Sequence, residues 1–135
     1  MVTFTLSRSE AYFIANSWLL YMVHLSQTRM INHAGSDGRY LNAMAMHSQL
    51  DHVLLTFNKK LVNRKPTTFK FTFDYHYAIA FYYYIFTHPI QNTSVWENQL
   101  RQRLCDELHQ QLFAMRPPVH QNIPLTIEDY YADYL

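Results

Sequence analysis

The sequence predicts a mainly α-helical domain of the α+β class, with four helices, a minor two-stranded antiparallel ribbon and an extended C-terminal arm. Two short stretches, around Phe4 and around Phe71, alternate apolar and polar side chains with the period of a β-strand. Each is followed by a residue type that caps helices and then by a helical pattern. The two glycines lie in GSDG at 35–38, where we expect one helix to end with positive φ. These observations predict a single domain over residues 1–116.

The first half of this domain opens with the strand around Phe4. Ser7 and Glu10 form a Ser-x-x-Glu capping box, which predicts a helix that runs to about His33. A second helix is predicted after the glycines, from about Arg39 to Asn63. Its apolar face consists of Leu50, Val53, Leu54, Phe57 and Leu61.

The second half repeats the order. The stretch TTFKFTF at 67–73 predicts a strand, and Asp74 is a suitable N-cap for a helix that contains HYAIAFYYYIFTHP at 76–89. Ser94 and Glu97 form a second capping box, which predicts a long helix to about Met115. One stripe of this helix carries Trp96, Leu100, Leu104, Leu108, Leu112 and Met115.

The two halves also resemble each other in sequence. FTLSRSEA at 4–11 and FTFDYHYA at 71–78 place a strand end, a cap and a helix start at the same spacing, 67 residues apart. We interpret the domain as two βαα halves whose strands pair with each other. The alternative is a chance similarity, because strand–cap–helix is a common arrangement.

Composition bears on the environment of the chain. Apolar residues make up 49% of 135 residues, and the net charge is +1. The longest uncharged aromatic run, Ala78 to Phe86, has less than half of the roughly 20 apolar residues that a membrane-spanning helix needs. The start of the chain lacks the pattern of a signal peptide. The single cysteine, Cys105, fits a reducing compartment, so we expect a cytoplasmic protein without a membrane contact.

The helix after Asp74 carries more apolar surface than one core face requires. It has two stripes on nearly opposite sides, namely Tyr75, Ile79, Tyr82 and Phe86, and Tyr77, Phe81, Tyr84 and His88. A helix that is apolar all round is usually buried on both sides, and tyrosine is common at interfaces. The sequence therefore predicts that the second stripe binds a partner. Two alternatives stay open: both stripes belong to the core, or they line a cofactor or lipid pocket.

The end of the chain differs in kind. Residues 117–135 contain three prolines within a short distance and finish with acids and aromatics, including Tyr130, Tyr131 and Tyr134. Residues 1–90 carry eight Lys/Arg against four Asp/Glu, whereas the remainder carries three against six. We expect this proline-containing arm to dock on its own domain, a sister subunit or a target protein. Chance placement of charges is the alternative explanation of the asymmetry.

A basic cluster is the strongest nucleic-acid feature. It comprises Lys59, Lys60, Arg64, Lys65 and Lys70, which lie in and just after KKLVNRK at 59–65. Such cations can bind phosphates while neighbouring aromatics stack on bases. Lysines also gather at the ends of helices because they interact favourably with the helix dipole.

Catalytic and metal patterns are weak. His47 and Asp51, and Asp106 and His109, have spacings that can place two ligands on one metal, but no known metal motif is present. Cys105 lies beside core leucines, and the sequence has no glycine-rich phosphate loop. We therefore predict no catalytic residue, no metal and no cofactor.

Together these features predict a non-enzymatic protein-binding protein, which would act as an adaptor, an inhibitor or an assembly component. It would work through its aromatic helix faces and its C-terminal arm, as a homo-oligomer or on another protein. The alternative is a nucleic-acid-binding protein that uses the basic cluster, and an enzyme comes third. A small, motif-poor, aromatic-rich chain would also suit an accessory protein of a virus or mobile element.

Overall fold

The computed structural model describes residues 1–87 and 94–114. Its elements, in order, are β1 (Val2–Ser7), α1 (Arg8–Phe13), a π-helical segment (Ile14–Leu19), α2 (Leu20–Asn32), α3 (Asp37–Leu61), β2 (Thr68–Phe73), α4 (Tyr75–Thr87) and α5 (Val95–Phe113). Because α1, the π-helical segment and α2 continue without a break, the order is strand–helix–helix twice. The predicted helical domain is confirmed: the described residues are mostly helical, with a small two-stranded antiparallel sheet, whereas the predicted arm at 117–135 lies outside them.

The ribbon of β1 and β2 turns one face inward. The strands pair antiparallel from Val2 opposite Phe73 to Ser7 opposite Thr68, so that Phe4 lies opposite Phe71. Because side chains alternate across a strand, every second residue points into the domain. All six inward side chains are buried, namely Val2, Phe4, Leu6, Phe69, Phe71 and Phe73. The outer face carries mainly threonines and Lys70.

A reciprocal cap fixes the junction between β1 and α1. The Ser7 Oγ accepts a hydrogen bond from the Glu10 N–H at 3.2 Å, and the Glu10 Oε1 accepts one from the Ser7 N–H at 2.8 Å. The second oxygen of Glu10 accepts a hydrogen bond from Arg103 in α5. The cap therefore also joins the start of the first helix to the last described helix.

The π-helical segment lies against the core. Its hydrogen bonds span one residue more than those of an α-helix. Trp18 and Leu19 are both buried in this segment, and Met22 continues the buried face in α2. Tyr12 and Tyr21, which lie outside this face, are exposed.

The connection between α2 and α3 corrects one expectation. The helix break does fall at GSDG, but neither Gly35 nor Gly38 has a positive φ. The chain turns through backbone hydrogen bonds instead, with His33 N–H donating to Arg29 O and Ser36 N–H donating to His33 O. A Cβ at either glycine would meet no atom within 4 Å, so this turn does not depend on glycine.

A cluster of phenylalanine rings forms the centre of the core. Phe57 of α3 stacks on Phe71 with ring centroids 4.1 Å apart, and Phe4 lies 5.4 Å from Phe71. Phe81 of α4 meets Phe57 edge-on at 6.0 Å and lies 6.1 Å from Phe4. Such offset and edge-to-face contacts stabilise aromatic pairs beyond their buried area. The cluster thus joins both strands to α3 and α4.

Equivalent positions in the two halves have equivalent surroundings. Buried residues recur at the spacing of the sequence similarity, in the pairs Ala11 and Ala78, Ile14 and Phe81, and Trp18 and Ile85. The Lys60 Nζ donates to the Lys70 carbonyl, and the Gln111 Nε2 donates to the Thr3 carbonyl, each at 2.6 Å. The acceptors Thr3 and Lys70 are themselves 67 positions apart, whereas the donors Lys60 and Gln111 are not equivalent positions. The halves therefore match in the order of their elements and at these buried helix positions, while a shared origin stays a hypothesis.

The phenylalanine cluster yields a stability prediction. We expect Phe57→Ala to lower the free energy of unfolding by about 3–5 kcal/mol, because it removes a fully buried ring and leaves a cavity against Phe71. Urea unfolding followed by circular dichroism measures the change. The matched control is Leu55→Ala on the exposed side of the same helix, which should change stability by about 0.5 kcal/mol or less. Equal destabilisation in both variants would contradict the central role of Phe57.

The capping carboxylate yields a pH prediction. Burial raises the pKa of Glu10, but hydrogen bonds from Ser7 and Arg103 and the charge of Arg103 outweigh it and hold the pKa below its ordinary value. A group with a depressed pKa stabilises the fold above its unfolded pKa, and the contribution disappears as pH falls through the folded pKa. The stability advantage of the unaltered protein over Glu10→Gln should therefore be full at neutral pH and vanish in acid.

Urea unfolding of both proteins from pH 7 down to about pH 3 measures this advantage. Glu107→Gln is the control, because the Glu107 side chain is 41% exposed, against 15% for Glu10, and its Oε1 lies 4.0 Å from the Arg103 Nε. An advantage that stays constant across this range would contradict the assignment.

Candidate interaction surfaces

The stripe of α4 predicted to bind a partner faces inward. Phe81 is 0% exposed and Tyr84 is 1% exposed, so both belong to the core of a single chain. Tyr77 is partly buried and stacks on His52 of α3, with ring centroids 4.0 Å apart. This placement corrects the prediction for Phe81 and Tyr84. The physical reason is that the inner face of the ribbon needs an apolar helix surface to cover it.

The remaining predicted partner residues cannot be placed. His88 and the arm residues Tyr130, Tyr131 and Tyr134 lie outside the described residues. Their assignment to a partner stays a prediction.

The opposite side of α4 is the exposed aromatic surface. Ile79 is 52% exposed, Tyr83 46% and Phe86 63%. The helix contains no Asp, Glu, Lys or Arg, so no carboxylate, ammonium or guanidinium of its own interrupts this surface. Large exposed apolar patches of this kind commonly mark interaction sites.

A groove separates this surface from α5. This α4–α5 groove has a volume of about 650 Å³ and is lined by Tyr82, Phe86, Asn98, Arg101, Gln102, Cys105, Asp106 and His109. Tyr82 stacks on Phe86 at 5.6 Å and meets Phe113 edge-on at 6.2 Å. Aromatic side chains therefore line one wall of the groove and continue to the end of α5.

Arg101 connects the two walls of the groove. Its Nε and Nη2 donate to the Ile85 carbonyl at 3.0 and 2.7 Å, near the C-terminal end of α4. Carbonyls at a helix C-terminus lack partners within the helix, and a cation there is favourable. Arg101 thus holds α4 and α5 together through hydrogen bonds within the fold.

The tyrosine and the cysteine of the groove are neutral at physiological pH. Burial raises the pKa of Tyr82, and the neighbouring Cys105 and Asp106 raise it further. Burial also raises the pKa of the Cys105 thiol, an effect that Arg101 opposes only in part. A nucleophilic cysteine needs a lowered pKa, so Cys105 is not activated for attack on a substrate.

The basic cluster divides into one structural cation and four exposed ones. The Lys60 ammonium donates to the Lys70 carbonyl and lies 5.4 Å from the centre of the Phe71 ring, so it is occupied within the fold. Lys59, Arg64, Lys65 and Lys70 are exposed, and none of them forms an ion pair with another described residue. Nucleic-acid binding by the cluster stays a prediction, without Lys60 as a free contact.

Arg8 is a cation of this region that the sequence did not reveal. Its Nε donates to the Pro66 carbonyl at 3.1 Å, and its Nη2 donates to the Asn63 and Pro66 carbonyls at 2.6 and 2.8 Å. The guanidinium also lies 4.9 Å from the centre of the Phe69 ring. A cation in the first turn of a helix opposes the dipole, which was the available signal that Arg8 has a tertiary role.

The weak metal candidates have other contacts. The His47 Nδ1 shares a hydrogen bond of 2.9 Å with the buried Ser26 hydroxyl, and His109 packs on Phe113 with ring centroids 4.4 Å apart. Across residues 1–87 and 94–114, no three His, Cys, Asp or Glu side chains gather as a metal site would require. Within the same ranges, no helix combines the length and apolar character needed to cross a bilayer.

Comparison of the chain with protein-family models, with curated proteins and with solved structures gives no match.

The groove yields a reactivity prediction. Because burial raises the pKa of Cys105, we expect its thiol to react with a neutral aromatic disulfide more slowly at pH 7 than the thiol of an unstructured peptide. Its rate should continue to rise at alkaline pH values where the peptide rate has levelled off. The reaction is followed by absorbance, and the same protein in denaturant serves as the control. A rate equal to that of the peptide at pH 7 would contradict the described environment.

Proposed function

We propose that the chain is a non-enzymatic protein-binding protein that acts through the exposed side of α4 and the adjoining α4–α5 groove. The observation that carries the proposal is the exposure of Ile79, Tyr83 and Phe86 on a helix without charged residues. Aromatic side chains that are rigid and partly apolar dominate the energetics of protein interfaces. The proposal keeps the predicted aromatic helix but moves its binding face to the other side.

A second copy of the chain is the occupant that this surface favours. In a twofold dimer each residue near the axis meets its own equivalent, so charged side chains there would face like charges. Apart from the imidazole of His76 in the first turn, the exposed residues of α4 carry hydroxyls and apolar groups, which can pack against themselves without that cost. Tyr83 in particular can bury its ring and keep its hydroxyl at the polar rim.

The C-terminal arm adds a second contribution to the proposal. The helix α5 ends at Phe113, which borders the aromatic surface through Tyr82, so the chain leaves the described domain beside the proposed interface. The arm carries acids and aromatics, and its charge is opposite to that of residues 1–87. Opposite charge favours an encounter between the arm and the body of a second copy more than it adds affinity.

This proposal places the chain among adaptors, inhibitors and assembly components. As an assembly component, the chain would associate with a second copy of itself, and the arm of each copy would contact the body of the other. The single cysteine fits the reducing interior of a cell, where such a protein would work without disulfides.

The proposal predicts a change in molar mass. We expect the unaltered protein to exceed the monomer mass of 16.2 kDa in light scattering at tens of micromolar protein. The double variant Tyr83→Ser and Phe86→Ser should dissociate at least about tenfold more readily, because interface aromatics commonly contribute more than about 1 kcal/mol each. Tyr21→Ser, an exposed tyrosine on α2, is the matched control and should associate normally.

Two outcomes contradict the proposal. An unaltered protein that stays monomeric at the highest soluble concentration removes the second copy as the occupant. A double variant that associates as strongly as the Tyr21→Ser control places the interface elsewhere. The rate at which a thiol reagent labels Cys105 is an independent measurement. If a second copy covers the groove, labelling of the Cys105 thiol should become slower as protein concentration rises.

A further inference from the structure

A second concave surface lies where the ribbon, α1 and the end of α3 meet. This surface, the Arg8 pocket, has a volume of about 800 Å³. Its lining includes Arg8, Tyr12, Asn16, Asn58, Arg64 and Lys65. It is separate from the α4–α5 groove, with which it shares no lining residue.

The charge of the Arg8 pocket has one sign. Arg8, Arg64 and Lys65 line it, and none of the described residues that line it is acidic. The carboxylate nearest in the sequence, Glu10, already accepts hydrogen bonds from Ser7 and Arg103. Cations that are not neutralised within the fold raise the local concentration of anions.

One of the three cations is rigid and two are free to adapt. The three hydrogen bonds of Arg8 to backbone carbonyls hold its guanidinium in one place, while its Nη1 makes no hydrogen bond with a described residue. Arg64 and Lys65 are exposed and follow directly after α3. A fixed guanidinium loses little freedom on binding, and flexible cations beside it can close on an oxyanion.

The pocket also offers an aromatic face and amide groups. Tyr12 is 62% exposed, so its ring does not serve the core. The Asn16 Nδ2 donates to the Tyr12 carbonyl at 2.9 Å, which orients the Asn16 amide at the edge of the pocket. Asn58 adds a second exposed amide from α3. Flat rings stack on exposed tyrosines, and amides bond to the polar edges of bases.

We propose that the Arg8 pocket binds one nucleotide unit of a single-stranded nucleic acid. Arg8, Arg64 and Lys65 bind the phosphate, and the Tyr12 ring stacks on the base. A base within a duplex has no free face for Tyr12, so the ligand is single-stranded. This site is independent of the α4–α5 interface, and protein association is not needed for it.

The outer face of the ribbon extends the site. Ser7 and Thr67 line the pocket, and the strands continue from there with Thr68 opposite Ser7 and Lys70 opposite Thr5. Thr5, Thr68 and Lys70 are exposed. A phosphate chain that leaves the pocket along the ribbon therefore meets hydroxyl donors and one more cation.

The test uses a fluorescein-labelled single-stranded oligothymidylate and measures its anisotropy with the full chain over a range of salt concentrations. We expect the double variant Arg64→Gln and Lys65→Gln to bind at least about tenfold more weakly at low salt. The slope of its affinity against salt, on logarithmic axes, should also be smaller by about one for each phosphate that the variant no longer binds. Tyr12→Leu should weaken binding about tenfold with an unchanged salt dependence, because stacking releases no counterions.

Two controls are matched to these variants. Lys59→Gln removes an exposed cation from the same end of α3 outside the pocket lining, and Tyr21→Leu removes an exposed tyrosine from α2. Each should bind the probe within about twofold of the unaltered protein, because neither side chain lines the Arg8 pocket. The helical signal in far-UV circular dichroism is the check that every variant folds. The variant Tyr83→Ser and Phe86→Ser should bind the probe normally, which separates this proposal from the proposed function.

Several outcomes overturn the proposal. The first is that the unaltered protein does not bind the probe at low salt, or that it binds a duplex of the same length equally well. A second such outcome is that Lys59→Gln weakens binding as much as the double variant Arg64→Gln and Lys65→Gln, which would indicate general electrostatic attraction. A third is that Tyr12→Leu binds the probe as tightly as Tyr21→Leu does, which would show that the Tyr12 ring does not contact a base. A phosphoserine peptide that competes equally well with the probe assigns the pocket to protein phosphate groups and not to nucleotides.

Discussion

The inner face of the two-stranded ribbon is the constraint on which the fold depends. Six large apolar side chains point from it into the domain, and a two-stranded ribbon cannot cover them by itself. Phe57 from α3 and Phe81 from α4 complete the cluster, so the helices are fixed relative to the strands by ring packing. This requirement explains why α4 turns its Phe81 and Tyr84 side inward. The aromatic side that it leaves outside is consequently the surface available for binding.

Elements with strong local signals could be predicted from the sequence. Alternation located both strands, and the residues Ser7, Asp74 and Ser94 located the starts of three helices. These signals are local because a cap or a strand period involves only neighbouring residues. The sequence could not show which stripe of α4 is buried, because both stripes are aromatic and the choice depends on the ribbon. It also could not show the π-helical segment, in which Trp18 and Leu19 are both buried.

The roles of the cations in the candidate sites also could not be predicted from the sequence. Lys60 and Lys65 lie close together in the sequence, yet the first bonds to a carbonyl of β2 and the second is exposed. Arg8 lies far from both in the sequence but reaches the carbonyls that follow α3. In the sequence Lys60, Lys65 and Arg8 are simply three positive charges. Their roles depend on which backbone carbonyls lie within hydrogen-bonding distance after folding. Long-range contacts of this kind leave little local signal, apart from the unusual position of Arg8 in a first helical turn.

The pairing of β1 with β2 has a consequence for the chain while it is being made. The whole of α1, α2 and α3 lies between the two strands, so β1 leaves the ribosome long before its partner exists. During that interval Val2, Phe4 and Leu6 have no opposite strand, and an unpaired apolar strand can pair with other chains. The α2–α3 hairpin can form early from contacts near in sequence, but the core must wait until Phe73 has emerged. Synthesis that stalls before Thr68 would therefore leave a helical hairpin attached to an aggregation-prone strand.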